Sequence, residues 1–216
     1  MKIALYGATG AIGQRVLREA LQRGHSVTAI ARDPSKITEQ NPQLITKPGN
    51  IRDAQSVAEA VAGHDAVVSA VGPPHGAVSE GDSLFVEAAH TLITGLRQAR
   101  VKRLMVVGGA GSLEVAPGVR MVDTPEFPAA WKGDALGQAD ALEVYRQEAG
   151  DLDWTYFSPA AVITPGERTG HYRSGSDQLV VDAEGQSRVS IEDYAVALLD
   201  ELETPQHIQQ RFTVGY

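Results

Sequence analysis

The chain contains no cysteine. That removes disulfide staples, thiolate nucleophiles and thiolate metal sites together, and it fits a reducing compartment. Long hydrophobic runs are missing too. The longest apolar stretches, such as Ala66 to Val71, fall far short of the ~20 residues that a bilayer-spanning helix needs, so no membrane role is expected. Lys2 stands ahead of an apolar run as in a secretion signal, but Gly7, Gly10, Gly13 and Arg15 interrupt it. A strand entering a turn explains this pattern better, and a cytoplasmic protein is the expectation. Positive charge is in deficit, with 19 Lys and Arg against 27 Asp and Glu and a net charge of -8. Such a surface repels phosphate backbones and argues against nucleic acid as the partner. The six histidines are scattered, with no His-Glu-x-x-His pair, so no metal site is expected. No Gly-x-Ser-x-Gly elbow marks a hydrolase.

What is present is a globular composition, 43% hydrophobic and 21% charged over 216 residues, enough for one domain with a full core. Strand and helix patterns alternate. Short apolar runs at 2–6, 27–31, 43–46, 65–71, 103–107, 154–157 and 212–214 read as strands. Helical spacing places helices at 11–23, 53–61, 83–99 and 132–147, and Ser190-Ile191-Glu192-Asp193 opens a last helix to about Glu203 as a capping box. Residues 111–131 carry three prolines and no period, and read as a long loop. Repeated strand–helix–strand units predict an α/β fold, a Rossmann-type doubly wound and mostly parallel sheet with helices on both faces. The chain is expected to form a single domain, 1–216, in which residues from about 155 to 216 build a small substrate-side lobe.

The first strand ends in Gly7-Ala8-Thr9-Gly10-Ala11-Ile12-Gly13, followed by a helix and a second strand. Chemistry asks for this order at a dinucleotide site. Glycine permits a tight turn and lets backbone N–H groups approach a pyrophosphate, while the helix N-terminus turns its unpaired donors toward the negative charge.

The Gly7-x-x-Gly10-x-x-Gly13 spacing resembles that of the extended and atypical short-chain dehydrogenase/reductases. Gly49-Asn50-Ile51-Arg52-Asp53, Ser69-Ala70-Val71-Gly72, Val106-Val107-Gly108-Gly109-Ala110-Gly111-Ser112, Trp154 to Ala160 and Val189 to Ala195 extend the likeness over nearly the whole chain. Within that superfamily the sequence is similar to NAD(P)H-flavin reductases, biliverdin reductase B and NmrA-like proteins. The resemblance implies that Thr9, Gly10, Ala11 and Ile12 hold the pyrophosphate, Asn50 and Ile51 flank the adenine, and Ala70, Val71 and Gly72 pass under the ribose and nicotinamide. Ser158 and Pro159 are then expected to face the nicotinamide. Asn50 departs from the aspartate more usual in the family.

At the end of the second strand the carboxylate that would bind both ribose hydroxyls is missing: Ala31 stands there, followed by Arg32. A guanidinium suits a 2′-phosphate, so NADPH is the expected cofactor, with NADH the alternative. Asp33 either pairs with Arg32 or caps the next turn. The superfamily's Tyr-x-x-x-Lys pair is absent, since Tyr6, Tyr145, Tyr156, Tyr172 and Tyr194 are followed four residues later by Gly10, Ala149, Ala160, Ser176 and Leu198. Ser112 is the catalytic candidate, or else a turn serine. His75, after Pro73-Pro74, is a candidate substrate contact or an exposed loop residue. Hydride transfer to FMN or riboflavin needs little proton management from the protein, so a planar small-molecule acceptor suits such a site. Phe127, Pro128 and Trp131 supply either an aromatic wall or loop anchors. The expectation is an NADPH-dependent flavin-type reductase, with a non-enzymatic redox sensor or an epimerase as alternatives.

Overall fold

The computed structural model describes residues 1–73 and 81–216, with no account of the side chains of residues 81–83. His75 lies outside the described residues. Strands β1 (Lys2–Tyr6), β2 (Ser26–Ala31), β3 (Leu44–Pro48), β4 (Ala66–Ser69) and β5 (Arg103–Val107) alternate with helices α1 (Ala11–Gln22), α2 (Ala54–Val61) and α3 (Gly81–Ala99). A short hairpin, β6 (Glu114–Ala116) and β7 (Val119–Arg120), precedes α4 (Lys132–Glu148). Then come β8 (Asp153–Ser158), β9 (Val162–Thr164), β10 (Arg173–Gly175), β11 (Arg188–Ser190), α5 (Ile191–Glu203) and β12 (Gln210–Gly215).

Eight strands form one sheet in the order β10-β12-β8-β5-β4-β1-β2-β3, parallel throughout except for β10 against β12. This is the Rossmann-type arrangement expected from the alternating pattern. Strand periodicity divides the core in two. Ile3 and Leu5 of β1 join Met105 and Phe157 under α1 and α5, whereas Ala4 and Tyr6 join Leu104 and Trp154 under α2, α3 and α4. Both faces of β4 are buried, which is why Ala66-Val67-Val68 reads as an uninterrupted apolar run. Phe157 stacks between Tyr194 and Phe212, at centroid distances of 4.0 and 4.1 Å, and so ties β8, α5 and β12 together.

Local chemistry sets the element ends. Gly24, at φ +81°, stops α1. Asp53 caps α2 by accepting from the amides of Gln55 and Ser56, and Ser190 Oγ accepts from Asp193 N at the start of α5. The third strand runs to Pro48, beyond the expected end at 46, because β3 is the sheet edge and a residue without an N–H is tolerated there. The 111–131 stretch departs more from the sequence reading. It holds the β6–β7 hairpin, whose turn places Gly118 at φ +74°, and two 3-10 turns. Residues 166–170 are strapped across α1 and α5. Arg168 makes a bidentate bond to Glu19 at 2.7 and 2.8 Å, and the amides of Thr169 and Gly170 donate to buried Asp193 at 2.8 and 2.7 Å. The Arg168 hydrogen bond holds the Glu19 carboxyl below the usual range, with Arg23 adding to the effect.

Candidate functional site

The parallel strands all end on one edge of the sheet, and the expected cofactor residues gather there. Gly7 adopts φ +83°, and a Cβ on it would lie 2.2 Å from the Ala70 carbonyl oxygen. The turn after β1 is therefore pressed against the chain leaving β4, which brings Gly7, Ala70 and Val71 together. A Cβ on Gly13 would lie 2.0 Å from the Gly7 oxygen, so α1 can approach the turn only without a side chain.

Gly10 differs. Its φ is an ordinary -80°, and a Cβ would meet nothing closer than the Gly7 oxygen at 3.4 Å. The fold does not require glycine there, and the space it leaves open lies in front of the N-terminus of α1. No side chain caps that terminus, and its first turn carries no acid. Thr9 and Gly10 are exposed, Ala11 and Ile12 half-buried. Free backbone donors around an open cradle fit a pyrophosphate.

At the ends of β2 and β3, Arg32 is exposed and forms no ion pair among the described residues. Asp33 does not pair with it. Asp33 caps the short turn at Pro34–Lys36, accepting from Ser35 N at 3.2 Å and from Ser35 Oγ at 2.6 Å. These bonds lower the Asp33 pKa. Asn50 is exposed, and its side-chain oxygen accepts from Arg52 N at 3.1 Å. Ile51 is buried, with its carbonyl accepting from Thr91 Oγ1 at 2.5 Å. Ala70 and Val71 are half-buried, and Gly72 is exposed, with nothing among the described residues close to where its Cβ would lie. Ser158 and Pro159 are both buried, and the Ser158 hydroxyl has no partner among the described residues.

A cleft of about 440 Å³ opens beyond β5, between the Gly109–Gly111 turn and the 121–138 region. By strand spacing it begins roughly 10 Å from the glycine turn after β1. Phe127, Pro128 and Trp131 line it, together with Ala161 after β8. Trp131 is 64% exposed, so it wets the cleft and does not anchor the core. Ser112 is not among the lining residues. Its hydroxyl and carbonyl accept from Arg211 Nη1 at 2.9 and 3.0 Å, and Arg211 is in turn bound by Asp177.

Sequence reasoning missed Asp134 and Gln138. One helical turn apart on α4, they reach the same cleft, and Asp134 Oδ1 and Gln138 Oε1 are buried without a hydrogen-bond partner among the described residues. Gly109 makes room for the Gln138 amide, because a Cβ there would lie 2.1 Å from Gln138 Oε1. The tyrosines are unsuited to proton transfer. Burial pushes the hydroxyls of Tyr6, Tyr145, Tyr156 and Tyr194 upward, and Tyr156 donates to the Gln138 carbonyl at 2.8 Å. Tyr172, also raised by burial, donates to Asp200 at 2.5 Å. Among the described residues no group of histidines and acids is placed to hold a metal ion.

A turn of this geometry at the end of the first parallel strand defines a dinucleotide-binding protein. Residues 7–202 match the NAD(P)H-binding family model, and the chain belongs to that family. Three solved structures are similar over the whole chain. A Burkholderia pseudomallei protein described as a candidate exported protein shares 49% identity, with full coverage of both chains and a TM-score of 0.89. A candidate epimerase from Bacteroides thetaiotaomicron shares 42%, covering 100% of this chain and 96% of that one, with a TM-score of 0.91. A candidate NADH-flavin reductase from Streptococcus pneumoniae shares 34%, covering 100% and 99%, with a TM-score of 0.86. The fold is that of the atypical short-chain dehydrogenase/reductases, oxidoreductase-like in character. Among the described residues no helix is long and apolar enough to cross a membrane.

Proposed function

We propose that the protein is an NADPH-dependent reductase that passes hydride to a flavin or a flavin-like planar acceptor. The observation that carries this reading is the aromatic-walled cleft beyond β5, built without any tyrosine–lysine pair. Thr9, Gly10, Ala11 and Ile12 would hold the pyrophosphate, Arg32 the 2′-phosphate, Asn50 and Ile51 the adenine side, and Ala70 to Gly72 the ribose and nicotinamide side. Ser158 and Pro159 would back the nicotinamide from within the sheet. A nicotinamide dinucleotide held there would supply hydride, and solvent would supply the proton that completes reduction of the acceptor. The protein's share is to bring two flat rings together and exclude water between them. Ser112, engaged by Arg211, would contribute modestly at most. The Streptococcus neighbour, described as a candidate NADH-flavin reductase, supports this acceptor class. The absence of cysteine and the demand for NADPH favour the cytoplasm as the place of action.

A second reading, epimerase, is favoured by the Bacteroides neighbour's description. Epimerisation by hydride removal and return needs a group that takes and gives back a hydroxyl proton, and the buried or engaged tyrosines described above do not offer one. The test is NADPH oxidation by the purified protein with and without riboflavin, FMN or menadione. Oxidation well above the flavin-only blank is expected. If NADPH binds and no acceptor stimulates its oxidation, the reductase reading fails and a redox-sensing role replaces it.

A further inference from the structure

We infer that the cleft beyond β5 selects an uncharged, planar heteroaromatic ring with an N–H donor on its edge, of the riboflavin type, and discriminates against the same ring carrying a phosphate. The inference rests on the flavin-type reading of this cleft and narrows it. Three observations meet here. Trp131 presents an exposed indole on the cleft wall, a surface on which a flat ring can stack. Asp134 and Gln138, one helical turn apart on α4, line the same cleft, and their Oδ1 and Oε1 are acceptors shielded from water with nothing to accept from among the described residues. Unsatisfied buried acceptors are costly, and a turn of these side chains into the cleft to meet a ligand N–H relieves that cost, whereas a ring lacking the donor leaves it in place. Last, the lining charges are both negative, Glu126 and Asp134. Of the nearby cations, Arg120 is taken up by Asp123 at 2.7 Å and Lys132 also acts on Asp123, and neither lining carboxylate is in an ion pair among the described residues. A phosphate or carboxylate tail would enter this field against repulsion.

The test is a fluorescence-quenching titration of the full-length protein, with NADP⁺ present, against riboflavin, FMN and 3-methylriboflavin, whose ring N–H is blocked. Riboflavin is expected to bind about tenfold tighter than either of the other two, a gap of the size that one lost contact or one repulsion produces. Raising the salt should narrow the FMN gap, as screening requires, and leave the 3-methylriboflavin gap unchanged. Asp134→Asn should also narrow the FMN gap, with NADP⁺ affinity and melting temperature unaltered. Trp131→Ala should weaken all three flavins alike. FMN binding as tightly as riboflavin at low salt, or 3-methylriboflavin binding as tightly, overturns the inference. The selectivity can hold while no flavin stimulates NADPH oxidation, and that result sinks the reductase reading alone.

Discussion

Two glycine-rich turns leave the sheet at the same edge, one after β1 and one after β5, and they use glycine in opposite ways. In the first, Gly7 and Gly13 are demanded by the chain's own backbone, and Gly10 keeps a space open that nothing among the described residues fills. In the second, the space is filled from within: the Tyr156 ring lies against Gly108, the Gln138 amide against Gly109 and Ala135 against Gly111. The first turn leaves open the space in which the proposed pyrophosphate would lie. The second is a socket for α4, and it fixes how Gln138 is presented to the cleft. Similar composition at similar topological positions thus leaves an open cradle in one place and a packed socket in the other.

The sharpest way to break this contrast is a pair of valine substitutions in the first turn. Gly13→Val forces a branched side chain onto the Gly7 carbonyl, and a loss of about 4 kcal/mol or more in stability is expected, at the extreme end of single substitutions. Gly10→Val has room and ordinary backbone angles, so it should cost only about 1 kcal/mol in the fold while abolishing measurable NADPH binding. Thermal melts read the first effect and dinucleotide titration the second. Gly10→Val that binds NADPH normally would place the pyrophosphate elsewhere.

A smaller effect is expected at Arg32, on the open side of the same cradle. Arg32→Ala should weaken NADPH by roughly ten- to a hundredfold, the equivalent of about 1.5–3 kcal/mol for a charge-assisted contact. NADH should be nearly unaffected, since it lacks the phosphate. Equal losses for both cofactors in parallel titrations would remove Arg32 as the selector.

The smallest effect is expected in the second turn. Gly109→Ala pushes on the free end of a flexible side chain, so the fold should lose only about 1 kcal/mol. NADPH affinity should stay the same, and acceptor affinity should change as the Gln138 amide moves. A Gly109→Ala protein that loses NADPH binding and keeps acceptor binding would reverse the roles assigned to the two turns.

The difference between the turns also marks what could be read from sequence. The first turn was legible because its requirements are local: a strand, three glycines at fixed spacing and a helix lie within about two dozen residues. The alternating sheet was legible for the same reason, since each buried strand and amphipathic helix carries its own period. The second region was opaque because distant residues decide it. The β6 hairpin is held by bonds between Glu114 and the backbone of Asp177 and Leu179. Ser112 was a natural candidate by position, yet its hydroxyl is claimed by Arg211, 99 residues away. Asp134 and Gln138 carried a faint signal, two polar groups at i, i+4 on a helix, but nothing local distinguishes a face turned to a cleft from one turned to solvent.

The place of β12 in the sheet has a consequence for how the chain is made. This strand lies between β10 and β8, so an interior partner of β8 is synthesised only after β9, β10, β11 and α5. The outer edge of β8 must wait, with its ladder of backbone groups unpaired and one face of the Phe157 ring bare, until residues 210–215 emerge. An open, apolar edge of that kind invites pairing with another nascent chain. The interval between synthesis of β8 and synthesis of β12 is therefore when this protein is most exposed to aggregation.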